Sequence, residues 1–208
     1  MSNKEIALSY LRQGLSVIPV WSPELIKRQP YQFANELKKK LEENNRAVNP
    51  KSKEEVTKEF LIGFCKKPKG ILWTEYQNRL PTEDEVIKWF SDWPDANIGI
   101  VTGKISNLVV FDLDSTDAIE YVESEGGFPD TPKVKTGKGY HLYMRHPGFE
   151  NRNSTNQKLG MDTRGDGGYA VAPPSIHGSG CQYQWEPGFS IHNIKPDEHG
   201  QLQGIGID

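Results

Sequence analysis

Val109-Val110-Phe111-Asp112-Leu113-Asp114 is an apolar run that ends in two carboxylates one residue apart. Its β-branched residues predict a strand over 107–114 that stops where the charge begins. Alternate side chains of a strand share a face, so Val110, Asp112 and Asp114 point one way. At a rise of about 3.3 Å per residue, the Cα atoms of the two aspartates lie roughly 6.6 Å apart. Two carboxylates so placed reach one hard cation or a pair of them. Charge carried into the buried end of a strand bears a desolvation cost that a divalent metal offsets. The pattern is not specific by itself: nucleases, phosphatases and glycosyltransferases also use Asp-x-Asp, and two acids can simply cap the helix that follows.

On the N-terminal side a second β-branched strand, Asn97–Val101, is separated from the first by Gly103. Thr82-x-x-Glu85 has the form of a capping box, and Val86, Trp89, Phe90 and Trp93 follow at i, i+3, i+4 and i+7, which predicts a helix. Ser2-x-x-Glu5 opens another helix, carried by Ile6, Tyr10 and Leu11 and stopped by Gly14, before a strand at 15–19. Residues 31–66 differ in character. Phe33, Leu37 and Leu41 mark one helical stripe, Asn49-Pro50 breaks it, and Ser52-x-x-Glu55 opens a helix with Val56, Phe60 and Phe64 inward. Gly70 then leads into a short expected strand ending at Trp73.

On the C-terminal side a helix over 115–125 is stopped by Gly126-Gly127, and strands are expected at 132–136, Tyr140–Arg145, Tyr169–Ala172 and 182–185. Helices and strands alternate early and strands dominate late, so the fold class is α+β or mixed α/β.

Two further stretches carry chemistry. In Thr136-Gly137-Lys138-Gly139-Tyr140-His141, the glycines allow close backbone approach to a ligand and Lys138 adds a positive charge. Strand alternation puts His141, Tyr143 and Arg145 on one face, and His146 on the other, where replacement is expected to be tolerated. In Gly160-Met161-Asp162-Thr163-Arg164-Gly165-Asp166-Gly167-Gly168, Asp162 is placed to complete a carboxylate cluster. Arg164 suits a phosphate, and Asp166 reads as a turn residue.

Composition narrows the class. The chain has 208 residues, 35% hydrophobic and 25% charged, as soluble globular domains do. No run of 18 apolar residues exists, which argues against a membrane span. The N-terminus lacks the unbroken apolar core of a secretory signal. Cys65 and Cys181 cannot build a four-thiolate zinc site and are weak grounds for a disulfide scaffold, so a reduced cytoplasmic protein is expected, with no zinc. The net charge of −3 hides segregation: Lys+Arg minus Asp+Glu gives +6 for residues 1–70, −10 for 71–130 and +4 for 131–149. Blocks of opposite sign suit a protein that holds cations and polyanions together.

The ordered combination resembles the primase–polymerase (prim-pol) domain of the archaeo-eukaryotic primase superfamily. The resemblance rests on the strand ending in Asp112-Leu113-Asp114, the Gly-rich turn with His141, and Met161-Asp162-x-Arg164-Gly165-Asp166-Gly167-Gly168-Tyr169-x-Val171-Ala172-Pro173-Pro174-Ser175. Arg12-x-Gly14, Lys67-Pro68, Trp73-x-x-Tyr76-Gln77, Trp89 and Asn97–Gly103 stand in the expected order around them. It covers nearly the whole chain, 1–208, with 31–66 as a charged helical insertion.

The resemblance implies a two-lobed fold, with an RRM-like catalytic sheet, a second α/β lobe and the active site in the cleft between them. It implies a DNA primase/polymerase that transfers nucleotides from NTPs or dNTPs to a 3′-hydroxyl on a DNA template with two Mg²⁺ or Mn²⁺ ions. Asp112, Asp114 and Asp162 match the metal-binding carboxylates, and His141 matches the histidine on the incoming nucleotide's phosphates. Lys138, Arg164, Asn97, Thr102 and Gly103 fall where nucleotide contacts are expected. A helicase or helical domain often follows such domains and is an expected partner. Two other readings compete, a metal-dependent nuclease or phosphodiesterase and a non-catalytic nucleic-acid-binding module. The basic residues of 36–70 are expected to help retain template.

Overall fold

The computed structural model describes residues 1–156 and 158–191. Its first half runs α1 (Asn3–Arg12), β1 (Ser16–Val20), α2 (Pro23–Arg28), α3 (Pro30–Asn44), α4 (Lys53–Phe64), a 3₁₀ turn at Trp73–Gln77, α5 (Glu83–Asp92) and β2 (Asn97–Val101). A second 3₁₀ turn at Lys104–Ser106 leads to β3 (Leu108–Leu113) and α6 (Thr116–Ser124). Then come β4 (Lys133–Lys135), β5 (Tyr140–Arg145), β6 (Ser154–Asn156), β7 (Met161–Arg164), β8 (Tyr169–Ala172) and β9 (Gln184–Trp185). The class is α+β: six α-helices and two antiparallel sheets among the described residues.

The capping boxes form as written in the sequence. Ser2 with Glu5, Ser52 with Glu55 and Thr82 with Glu85 each satisfy two backbone N–H groups reciprocally. α5 buries Val86, Trp89 and Phe90 at the expected spacing, each worth about 1.5–3 kcal/mol of apolar burial. α3 buries nothing. It is held to α4 by Phe33, whose ring meets Phe60 and Phe64 at 5.4 and 5.2 Å, and Phe64 in turn packs on Trp21 at 5.1 Å. The charged segment 31–66 is therefore anchored through its C-terminal end, where Phe64 is 1% exposed.

Two expectations change. The strand into Trp73 does not form: Pro68 makes one bridge with Val20, Gly70 turns the chain at φ +65°, and a 3₁₀ turn follows. Proline lacks the N–H that a longer ladder needs. The other change is the addition of α2, capped by Ser22 with Pro23 in its first turn, and of β6 and β7, which carry no apolar alternation and exist because β7 pairs with β3.

The smaller sheet has the order β1-β2-β8 and the larger β6-β7-β3-β5-β4-β9. α6, capped by Ser115, covers one face of the larger sheet through Leu113, Ala118, Val122, Leu142 and Met161. On the other face Val110, Val134 and Tyr143 join Ile18, Ile98, Ile100 and Val171 of the smaller sheet in one core. No helix among the described residues is long and apolar enough to cross a membrane.

Candidate active site

β3 lies between β5 and β7. The antiparallel register pairs Asp112 with His141 on one side and with Asp162 on the other. The three side chains form a row, Asp162–Asp112–His141, on the face turned away from α6, because cross-strand partners share a face. Asp112 and His141 are buried, each 5% exposed. His141 Nε2 lies 3.3 Å from Asp112 Oδ1, near enough for attraction but too poorly aligned for a hydrogen bond. Asp112 Oδ1, and separately His141 Nδ1, are buried with no hydrogen-bond partner among the described residues.

Arg164, two residues beyond Asp162 and on the same face, reaches Asp162 Oδ2 at 2.6 Å and Asp112 Oδ2 at 3.9 Å. Burial raises the Asp112 carboxyl, but the His141 ring, Lys66 and Arg164 outweigh it and hold the group below its ordinary range. Asp114, just past the end of β3, has its backbone N–H fixed by the Gly160 carbonyl at 2.9 Å. Its carboxyl is pushed up, first by burial and then by the charge of Asp112.

The two carboxylates open into adjoining spaces. Asp112 lines a cleft of about 370 Å³ with Arg164, Trp73, Tyr169, Ala170 and Val171. That volume falls within the range of small-molecule sites. Trp73 and Tyr169 meet edge to face at 4.8 Å on its wall. Asp114 lines a smaller niche with Thr136, Gly137, Lys138 and His177. Lys66, His141 and Tyr183 border both. Sequence reading singled out Lys138 and Arg164, and both lie here. Asp162 joins the row, but its carboxylate is engaged by Arg164.

Other candidates are spent elsewhere. The Asn97 side chain donates to the carbonyls of Trp21 and Ile176 and accepts from Ile176 N–H, which fixes the strand end instead of facing the cleft. Thr102 Oγ1 donates to the Gly165 carbonyl at 2.6 Å. A methyl on Gly103 would come within 2.7 Å of the Asp166 backbone. All three are engaged with neighbouring backbone, and none lines either space. Gly137 and Gly139 do approach something closely, but it is protein: methyls there would lie 2.9 Å from His177 Nδ1 and 1.9 Å from the Leu113 carbonyl. His146 is turned away from the row as expected, yet it is not idle. Buried, it meets Asp166 at 3.2 Å, and Asp166 accepts from the N–H groups of Asn151 and Lys104. The turn role of Asp166 has this physical form.

Lys66 and His177 escaped the sequence reading. Lys66 lay inside the segment set aside as an insertion, and His177 followed Pro173-Pro174-Ser175 without a pattern of its own. A lysine directly after the helix that opens at Ser52 was the available signal.

No curated protein matches the chain. One family model does, over residues 7–198, a span that takes in β3, β5, β7 and the loops that close the niche. With that match across most of its length, the chain belongs to the Prim-Pol family, described as bifunctional DNA primase/polymerase, N-terminal, and its activity is of the DNA primase/polymerase type.

Proposed function

We propose that the chain catalyses template-directed nucleotidyl transfer from a nucleoside triphosphate to a 3′-hydroxyl of DNA, at the row formed by Asp162, Asp112 and His141. The observation that carries the reading is the buried, unpartnered Asp112 Oδ1 on the wall of a nucleotide-sized cleft, flanked by Asp114 and by the cation of Arg164. An acceptor oxygen left unsatisfied in a buried site is costly unless a ligand completes it.

The residues fit divalent cations at Asp112 and Asp114. Among the described residues no three His, Cys, Asp or Glu side chains are gathered closely enough to hold a metal ion. The pair itself still favours one, since a hard cation satisfies Asp112 Oδ1 and offsets the burial and the Asp112 repulsion that raise the Asp114 carboxyl. Asp162 is the third ligand in this reading, released when Arg164 turns to a phosphate. Two bound Mg²⁺ or Mn²⁺ ions would lower the pKa of the attacking hydroxyl and neutralise charge on the leaving pyrophosphate. His141 donates to a phosphate oxygen, and Arg164 offers a planar pair of donors to another. Trp73 and Tyr169 give the base an aromatic wall.

The test is incubation with labelled primer–template, dNTPs or NTPs and Mg²⁺ or Mn²⁺. Lengthening of the primer that is lost in Asp112→Asn supports the reading. Shortening would instead assign a nuclease, and DNA binding with neither outcome a non-catalytic module.

A further inference from the structure

We infer that Asn153 is a specificity-determining residue that favours ribonucleotides over deoxynucleotides by donating to the 2′-hydroxyl, an inference that rests on the nucleotidyl-transfer reading above. Asn153 stands just before β6, whose Ser154 pairs with Thr163 and whose Thr155 pairs with Asp162. It therefore comes beside Arg164, on the face that carries Asp162 and Asp112. Its side chain lines the larger cleft and does not hang loose there. Asn153 Oδ1 accepts from the Gly165 N–H at 2.9 Å, which fixes the carboxamide and leaves Nδ2 as its free end. That nitrogen has two N–H groups and no acceptor among the described residues. A methyl on Gly168 would fall 2.3 Å from Asn153 Oδ1 and 2.9 Å from Thr102 Oγ1, and one on Gly165 would fall 2.1 Å from the Asn151 carbonyl oxygen. The segment 151–153 thus lies directly on 165–168, and any side chain at Gly168 would displace the carboxamide.

The order of the lining decides which part of a nucleotide meets Asn153. In the reading above, Asp112, His141 and Arg164 form the end of the cleft that takes phosphate, and Trp73 against Tyr169 forms the end that takes a base. Asn153 sits between them: it neighbours Arg164 on one side and packs on Gly168, the residue before Tyr169, on the other. A nucleotide laid along the cleft carries its sugar between phosphate and base, and so at this carboxamide. A ribose 2′-hydroxyl accepts a hydrogen bond from a free amide N–H, whereas the hydrogen of a deoxyribose makes none. The wall beside Asn153 also has room for the extra oxygen. Gly167 and Gly168 add no side chain to it. Tyr169 is anchored, its hydroxyl donating to the Lys66 carbonyl at 2.7 Å and its ring set against Trp73, so that ring does not swing against the sugar. The cleft thus offers a donor for the 2′-hydroxyl and lacks the bulk that would refuse it.

The test compares wild type with Asn153→Ala in two measurements: calorimetric binding of ATP and of dATP, with Ca²⁺ in place of Mg²⁺ to prevent turnover, and addition of each to a primer opposite template thymine. Wild type should bind ATP roughly tenfold more tightly than dATP, the upper scale of one neutral hydrogen bond, and add it with a correspondingly lower KM. Asn153→Ala should lose that preference through ATP alone, with dATP affinity, primer–template affinity and melting temperature close to wild type. Gly168→Ala, which displaces the carboxamide without removing it, should lose the same preference and serves if Asn153→Ala does not fold. Equal affinity of the wild type for ATP and dATP overturns the inference, as does a preference for ATP that survives in Asn153→Ala; primer extension by that same wild type would leave the transfer reading intact. If wild type prefers ATP through Asn153 but adds no nucleotide, the nucleotidyl-transfer reading fails and the sugar contact stands.

Discussion

Asp112 and Asp162 stand opposite each other on β3 and β7, and the Arg164 guanidinium lies beside both, 3.9 and 2.6 Å away. Like charges paired across strands destabilise a sheet, so this pair depends on a counter-charge. Arg164 supplies it, and in the proposed function a divalent cation would take its place.

Arg164→Met therefore removes the compensation and leaves two carboxylates facing one another. Because Arg164 is partly exposed, the expected loss is modest, about 1–2 kcal/mol, or a few degrees of melting temperature. Adding Mn²⁺ should raise the variant's melting temperature more than that of wild type. An Arg164→Met protein that melts like wild type and responds no differently to Mn²⁺ would remove Arg164 from this role.

Asp112 and Asp114 should respond to pH with opposite signs. The Asp114 carboxyl is raised by burial and by Asp112, so its contribution is full below the ordinary carboxylate range and is lost as pH rises through its raised pKa. Asp112 is held low, so its contribution is present above that range and is lost as pH falls through its lowered pKa. At neutral pH, Asp114→Asn should melt above wild type and Asp112→Asn below it, while both lose incorporation. Thermal melts across pH decide this, and a destabilised Asp114→Asn would contradict it.

His146→Ala should cost about 2–3 kcal/mol, the scale of a buried polar group lost from its partner. Its ring is buried against Asp166, whose carboxyl burial tends to raise but which the N–H groups of Asn151 and Lys104, with His146, hold low. Nucleotide KM should not move, since the pair lies outside both spaces at the site. A raised KM at unchanged stability would place His146 in the machinery.

α3 exposes Lys38, Lys39 and Lys40 with no buried residue beneath them, and among the described residues only Lys40 has a carboxylate partner, Glu43 at 3.2 Å. Reversing all three to Glu should weaken primer–template binding and flatten its dependence on salt by up to about 0.9 per lost phosphate contact. Titration at several salt concentrations measures this. Unchanged binding at low salt would make these lysines a solvated helix face.

The elements legible in the sequence are those whose side chains carry their own periodicity. α5 shows its stripe of Val86, Trp89 and Phe90, and β3 its alternation ending in Asp112 and Asp114. β7 had no such signal: Met161-Asp162-Thr163-Arg164 becomes a strand only because the edge of β3 offers backbone partners. Asp162 was still found, because a carboxylate among glycines stands out chemically where the strand does not. Lys66 shows the reverse limit. Its type and position were plain, but its place beside Asp114 depends on a turn more than a hundred residues later packing through Gly178 onto Ile62, a contact no local pattern encodes.

The two sheets share one apolar core, and the links between them are tied together: Thr102 bonds to both Gly165 and Gly168, while Gly103 pairs with Leu108. Among the described residues these connections leave no hinge between the two sheets. On the proposed function, the mouth of the cleft is set when the chain folds, and nucleotide capture proceeds by side-chain reorientation such as that of Arg164, not by the closing of halves. Association should then be a single kinetic phase, the molecular envelope should not contract on saturation, and the amides of Thr102 and Gly168 should exchange with solvent equally slowly with or without ligand.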